Sequence, residues 1–392
     1  MSALSASTST RNGKLHYFIL ITVIVSAGLS QGLLLPVLSI LLEQKGVSSS
    51  LNGLNATSLY IGSFAMTLIA ERVLGAVGFK KLIASGISLV LVCLLLFPLL
   101  PGIRAWFILR LLVGVGDSAI NYAAQLWVLL MTPPEHRGRN LSLYGMSYGL
   151  GFSLGPVGIS LLRFGQSVPF IALACLFGLV LFLTLAKLPH SHPDKAEGGE
   201  SQVKRFGRSY SLAWYALIPA LLYGYMEATL NSSFPVYGLR IGFSEDQIAA
   251  ILPFAGIGGL LLQLPLGLWS DRYGRKKILM VAGISGGLAF TLLPLAGNHF
   301  MITLLLLVVA GGFVGSFFSL GLAYAADILP RNLLPAANVV SSFHFSAGSI
   351  IGPGIGGLLL EYGWGGGLLG LMGGLYLLFG LAGLMYSPRP RL

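Results

Sequence analysis

Polar residues interrupt this chain rarely and at regular intervals. Twelve predominantly apolar runs, near residues 16–42, 53–74, 81–100, 105–131, 141–164, 168–188, 211–239, 246–269, 277–297, 300–327, 336–362 and 366–386, are separated mostly by short polar turns. Each run reaches the ~20 residues a helix needs to cross the hydrocarbon core, where backbone amides must be satisfied inside their own segment. The pattern predicts an all-α integral membrane protein with 12 transmembrane helices. The one long polar stretch, 189–210, reads as a flexible cytoplasmic linker between two six-helix bundles, 15–188 and 211–387. Residues 1–14, rich in Ser and Thr, read as a disordered cytoplasmic N-terminus, and 388–392 as a cytoplasmic tail.

Composition narrows the class. With 55% hydrophobic and 9% charged residues the chain cannot be an ordinary soluble domain, whose charged fraction is roughly 25%. The net charge of +11 points to topology and not to nucleic acid. If the N-terminus is cytoplasmic, 19 of the 24 bases fall in inner segments, while the outer loops hold only Lys45, Arg104, Arg163 and Arg240. That asymmetry places both termini in the cytoplasm. The first run is longer than a signal-peptide core and reads as a retained helix. Cys93 and Cys175 lie inside apolar runs and read as small core residues. His190 and His192 have no other ligand cluster beside them in the linker, so no metal site is expected.

The most informative loop is Gly267-Leu-Trp-Ser-Asp271-Arg272-Tyr-Gly274-Arg275-Lys276-Lys277, between the eighth and ninth runs. A degenerate copy, Glu71-Arg72-Val-Leu-Gly75-Ala76-Val-Gly78-Phe-Lys80-Lys81, follows the second run at an offset of 196 residues, half of 392. Gly348-Ser-Ile-Ile-Gly352-Pro353 repeats Gly151-Phe-Ser-Leu-Gly155-Pro156 at an offset of 197, so the chain reads as a duplicated unit. The loop spelling G-x-x-x-D-R-x-G-R-K-K resembles the signature of the major facilitator superfamily, and the resemblance extends over nearly the whole chain. It implies two pseudo-symmetric six-helix bundles with a substrate cavity between them. It also implies a cytoplasmic gate at Gly267, Asp271, Arg272, Gly274, Arg275 and Lys276, partnered by Arg137 and Arg139. Glu71 and Arg72 are expected to substitute in part for the acid and base that the first copy lacks.

Three apolar runs carry chemistry. In the fourth, Arg110, Gly114, Asp117, Asn121 and Gln125 step by three or four residues and share one helical face. R-x-x-x-G-x-G there resembles the family's helix-4 signature, in which the Arg is linked to proton transfer. A structural Arg110–Asp117 pair is the alternative. In the seventh, Glu227 lies about 22 Å deep, past the midplane, with Tyr223 and Asn231 one turn to either side. A carboxyl at that depth can serve as a proton carrier or attract a cation, or be hydrogen-bonded structurally within the bundle. In the eleventh, Gly348, Gly352 and Pro353 resemble the family's antiporter signature, and with Gly151, Gly155 and Pro156 they are expected to act as helix pivots. Gln31, Asn121, Gln125, Tyr223, Asn231, Phe234 and His344 are expected to line the substrate cavity.

The resemblance is strongest to twelve-helix bacterial proton-coupled drug and sugar efflux antiporters. It implies a monomer in the bacterial inner membrane, exporting a small amphipathic or cationic compound at the expense of a proton gradient, with Glu227, Asp117 and Arg110 in proton coupling. Neither cofactor nor nucleic acid is expected. A facilitator, a symporter or a lipid exporter remains open, as does a membrane-embedded sensor or enzyme, although no nucleophile, metal or nucleotide motif favours the last.

Overall fold

The computed structural model describes residues 2–132, 137–192, 202–330, 333–363 and 365–387. Those residues form thirteen α-helices: α1 (Ser2–Gln44), α2 (Ser49–Val77), α3 (Phe79–Leu99), α4 (Ile103–Met131), α5 (Arg137–Leu154), α6 (Val168–Lys187), α7 (Gln202–Arg240), α8 (Glu245–Tyr273), α9 (Arg275–Leu292), α10 (Phe300–Val314), α11 (Phe317–Ile328), α12 (Leu334–Glu361) and α13 (Gly365–Met385). They correspond to the twelve runs, because the tenth is interrupted at Gly315–Ser316 and yields both α10 and α11. The fifth run also changes character, passing at Gly155–Pro156 from α5 into a 3-10 segment, Gly155–Phe164. Its counterpart α12 continues through Pro353.

Nine spans among the described residues are long and apolar enough to cross a membrane by length and composition. The runs outside those nine are α4, α5 and α7, which bear Arg110, Asp117, Tyr148 and Glu227. Polar residues lower their hydropathy. Elsewhere large apolar side chains face outward, among them Leu264, Leu268, Phe182 and Leu378, each at least 60% exposed. Lipid is the solvent such surfaces fit.

Two helix starts depart from the composition-based reading. α1 begins at Ser2 and takes in most of the 1–14 stretch expected to be disordered, and α7 begins at Gln202, inside the expected linker. Once an apolar run has nucleated a helix, each further residue adds a hydrogen bond at small cost, so weak helix formers can be carried along. α7 then bends at Ala213 (φ −133, ψ 26). Residues 193–201 of the linker lie outside the described residues.

Contacts divide the chain into a first unit, Met1–Val37 with Ser58–Ala196, and a second, Leu38–Thr57 with Glu197–Leu392. The grouping thus follows the linker, except that the ends of α1 and α2 that meet at residues 45–48 belong with the second half. In the first unit, the core is built from α3 against α4 and α6, with Phe97 stacked on Phe170 and edge-on to Trp106. In the second, α7 packs along α12, α8 along α10 and α9 along α13. Phe317, Tyr376, Phe379 and Tyr215 form a continuous aromatic cluster there. Ser244 caps α8 through a reciprocal pair of bonds with Gln247, fixing where that helix starts.

Candidate functional site: buried ionisable groups in each unit

In the first unit, the polar face of α4 meets α1, α2 and α5. Gly114 is what admits α2, since a Cβ there would collide with the Leu59 carbonyl. Arg110 is fully buried; its Nη2 donates to the Leu35 carbonyl at 3.3 Å, while Nε and Nη1 have no hydrogen-bond partner among the described residues. Asp117 is fully buried as well. The Gln31 amide adjoins its carboxyl, yet neither carboxyl oxygen has a hydrogen bond of good geometry. No ion pair joins Arg110 to Asp117 among the described residues. The face therefore holds two separate ionisable groups and not the paired charges that were the structural alternative.

Tyrosines of α5 complete this cluster. Tyr148 Oη donates to Gln31 Oε1 at 2.7 Å, and Tyr144 Oη lies 3.0 Å from the Asn121 carbonyl and 3.2 Å from Asn121 Oδ1. Neither tyrosine was singled out in the sequence, though their spacing of four puts both on one helical face. Gln125, expected in the cavity, is exposed, one turn beyond the cluster.

The second unit holds the other carboxyl. Tyr223, Glu227 and Asn231 form a half-exposed face of α7, with Asn231 Nδ2 donating to the Glu227 backbone carbonyl at 2.9 Å. No hydrogen bond is made to the Glu227 carboxylate among the described residues. The Tyr223 and Tyr376 side chains both lie within its electrostatic reach, Tyr376 while donating to the Leu222 carbonyl at 2.9 Å. Phe234 departs from expectation. It shares the helical phase of Tyr223 and Glu227, yet it is fully buried and packs against Tyr237, because residues 232–238 are buried all round the helix. His344 Nδ1 donates to the Val340 carbonyl at 2.8 Å and the ring stacks on Tyr210, 5.5 Å between ring centroids, so it is already engaged.

The expected pivot glycines prove to be places where helices touch backbone to backbone. A Cβ on Gly151 would collide with the Val25 carbonyl of α1, and one on Gly348 with the Leu221 carbonyl of α7. Gly28 meets Tyr148 and Gly224 meets Phe345 in the same way, at the repeat offsets of 196 and 197. Gly155 lies against Gly32, and Gly352 against Thr229 and Tyr225. Pro156 and Pro353 are buried beside these contacts. Each unit thus carries the same glycine seam, α1 with α5 and α7 with α12.

The signature loop turns at Gly274 (φ +95), a conformation that suits glycine. Arg275 spans two acids, Asp271 at 3.1 Å and Asp327, at the end of α11, at 2.8 Å. Asp327 was not foreseen. Lys276 Nζ donates to the Tyr386 carbonyl at 2.5 Å, Arg272 lies over the Tyr273 ring, and Gly267 has open space around it. Of the expected partners, residues 133–136 lie outside the described residues, as do the side chains of Arg137 and Arg139. In the degenerate copy, Glu71 and Arg72 are exposed and form no ion pair with each other. The loop is held instead by the last turn of α6 and the segment after it: Lys80 Nζ donates to the Leu185 carbonyl at 2.8 Å and Phe79 N–H to the Ser191 carbonyl at 2.9 Å. Because Asp271 and Asp327 are both more than half exposed, Arg275→Ala is expected to leave thermal stability within about 2 °C of the parent. A melting loss of about 5 °C or more in detergent would make the loop a structural brace and not a gate.

Comparison with known proteins places this architecture. The chain matches the family model described as Major Facilitator Superfamily over residues 20–260 and 209–392. It is 42% identical over 351 residues, 89% of each chain, to the uncharacterized MFS-type transporter YfkF of Bacillus subtilis (strain 168). It is 25% identical over 318 residues, 79% of each chain, to an uncharacterized MFS-type transporter of Yersinia pestis (strain Pestoides F). Among solved structures it resembles the nucleoside transporter NupG (TM-score 0.76, 16% identity, 95% of this chain and 100% of that one). It also resembles an inward-facing, unoccupied bacterial homologue of the human lysosomal transporter Spinster (TM-score 0.69, 15% identity, 96% and 99%). At those identities the structures attest the fold alone. Its relatives are transporters, its helices are those of a multi-pass membrane protein, and the chain belongs to the major facilitator superfamily.

Proposed function

We propose that this protein is a proton-coupled exporter of a small amphipathic or cationic compound, working by alternating access in a bacterial inner membrane. The observation that carries the reading is Glu227, a half-exposed carboxyl on a membrane-spanning helix, with no hydrogen bond to it among the described residues and two tyrosines in reach. Intramembrane ionisable groups are costly and mark ion or proton paths unless they are paired. Asp117 and Arg110, buried and unpaired with each other, supply a second such place. On this reading Glu227 and Asp117 exchange protons, Arg110 tunes them, and Tyr223, Asn121, Asn231 and Gln31 contact the solute. The base-rich loops lie in the cytoplasm with both termini. The energy source is the proton gradient with no cofactor, and the working unit is a monomer.

The test uses inverted vesicles with an imposed proton gradient, followed by a pH-sensitive dye while lipophilic cations, sugars and lysolipids are added in turn. Dye recovery with one class of compound is the expected result and names that class. Labelled solute that equilibrates without moving protons would replace antiport by facilitated diffusion. Proton flow in the same direction as the solute would replace it by symport.

A further inference from the structure

Beside the bend of α7 at Ala213 lies a cavity of about 460 Å³, lined by Ser211, Leu212 and Trp214 of α7 and by Met385, Tyr386 and Ser387 at the end of α13. All of these residues belong to the second unit. The volume suits a small ligand, for which sites of roughly 300–1,000 Å³ are usual. The seventh apolar run starts at residue 211 and the twelfth ends at 386, so the cavity sits where both helices leave the hydrocarbon. Met385 is 91% exposed and Trp214 37%, which leaves the cavity open at the surface.

Its floor is rigid. The Tyr386 ring stacks on Tyr215 at 5.0 Å between centroids, Trp214 stands edge-on to it at 5.3 Å, and Tyr386 Oη donates to the Leu212 carbonyl at 3.3 Å. Bases adjoin the cavity and acids do not. Lys276 Nζ donates to the Tyr386 carbonyl, and an ammonium with three N–H bonds has two left to offer. Lys80, the repeat mate of Lys276, bonds the Leu185 carbonyl in the last turn of α6, so the fold places a lysine at the end of the last helix of each half. Arg208 shares a helical face with Ser211 and Leu212, three and four residues on, and is exposed with no ion pair among the described residues. No lining residue is acidic, and Asp271 and Asp327 are both taken up by Arg275.

We propose that this cavity binds the headgroup of an anionic phospholipid, with Arg208 and Lys276 on its phosphate and Trp214 and Tyr386 against the glycerol and the top of the chains. Trp and Tyr settle at headgroup level because one side of the ring system is apolar and the other wet. Basic pockets between membrane helices attract anionic headgroups for plain Coulombic reasons. A zwitterionic lipid would bring a cation of its own up to the two bases, so the charge selects the anionic class.

This inference rests on the helices crossing a membrane, and on neither transport nor its direction. The test uses bilayers of phosphatidylcholine and phosphatidylglycerol in which one of the two lipids carries bromine on its chains. Bromine quenches tryptophan on contact, and the difference between the parent and Trp214→Phe isolates Trp214 among the five tryptophans. Phosphatidylglycerol is expected to be preferred at Trp214 by about tenfold, and Arg208→Gln and Lys276→Gln to remove about threefold of that preference each. Lys277→Gln, which deletes an exposed base next to Lys276, should leave the preference within about twofold of the parent value. Equal quenching by the two lipids, or no quenching of Trp214 by either, would overturn the site. So would a preference that survives both Arg208→Gln and Lys276→Gln, in protein melting within about 3 °C of its parent. An equal loss in Lys277→Gln would replace the site by attraction to the whole basic face. Inorganic phosphate that abolished the preference where chloride of the same ionic strength did not would make the occupant a soluble anion and not a lipid.

Discussion

Replacing Glu227 by Gln is expected to abolish substrate-induced proton movement, reducing dye recovery in inverted vesicles to that of vesicles without the protein. Gln keeps the volume of the side chain and its capacity to hydrogen-bond, but cannot take up or release a proton. The surroundings make this a clean exchange. Asn231 bonds the backbone carbonyl of residue 227 and not its carboxyl, and Tyr376 is anchored on Leu222, so neither contact depends on the charge removed. Folding should be preserved, and labelled solute should still equilibrate down its own gradient within about a factor of two of the parent rate. Asp117→Asn is expected to act differently. Its carboxyl lies within a closed set of α1, α4 and α5 side chains, so its loss should slow the coupled cycle without uncoupling it. Dye recovery that survives Glu227→Gln and disappears in Asp117→Asn would transfer the coupling role to the first unit.

The parts of this molecule legible in its sequence are those that lipid or local geometry enforces. Twelve runs could be read because a backbone in hydrocarbon has almost no alternative to a helix. The Tyr223, Glu227 and Asn231 face could be read because polar residues in such a run stand out and helical spacing is fixed. Tyr144, Tyr148 and Tyr376 stayed hidden for the opposite reason. A tyrosine in an apolar run is also what a membrane interface contains, and only tertiary contact distinguishes a hydroxyl donating to Gln31 from one at the lipid surface. Phe234 misled because it has the phase of that face, and only tertiary packing, which buries residues 232–238 on every side, takes it out of the cavity. Arg240 was visible only as an outer-loop base. Its partners come from the ends of α1, α2 and α12, and Asp327 meets Arg275 from a different helix, so no spacing along the chain foretells either. The repeat did carry some of that information, for the offset of 196 maps the Arg240–Ser49 bond onto the Gln44–Glu245 bond once one of them is known.

Gly348→Val is expected to lower the melting temperature in detergent by about 10 °C, or to leave no folded protein at all. In lipid, helices gain nothing by hiding apolar side chains from one another, so association depends on how closely their surfaces fit. The α7–α12 seam fits by leaving side chains out. Gly348 meets the Leu221 carbonyl and the Tyr225 amide, Gly224 meets the Phe345 carbonyl, and Gly352 lies against Thr229. The obstacles at Gly348 are backbone atoms, which cannot rotate away as the end of a side chain would. A Val there must push α12 away from the Leu221–Tyr225 side of α7, the helix that carries Glu227. Gly370→Ala, where the added carbon meets nothing within 4 Å, is the matched control and should melt with the parent. The repeat makes the same argument for Gly151 against Val25, so Gly151→Val should damage the first unit to a similar degree. A normal melting temperature for Gly348→Val would mean that α7 and α12 can separate freely. The glycines would then be the pivots that their resemblance to the antiporter signature suggests, and not the seam that positions the site.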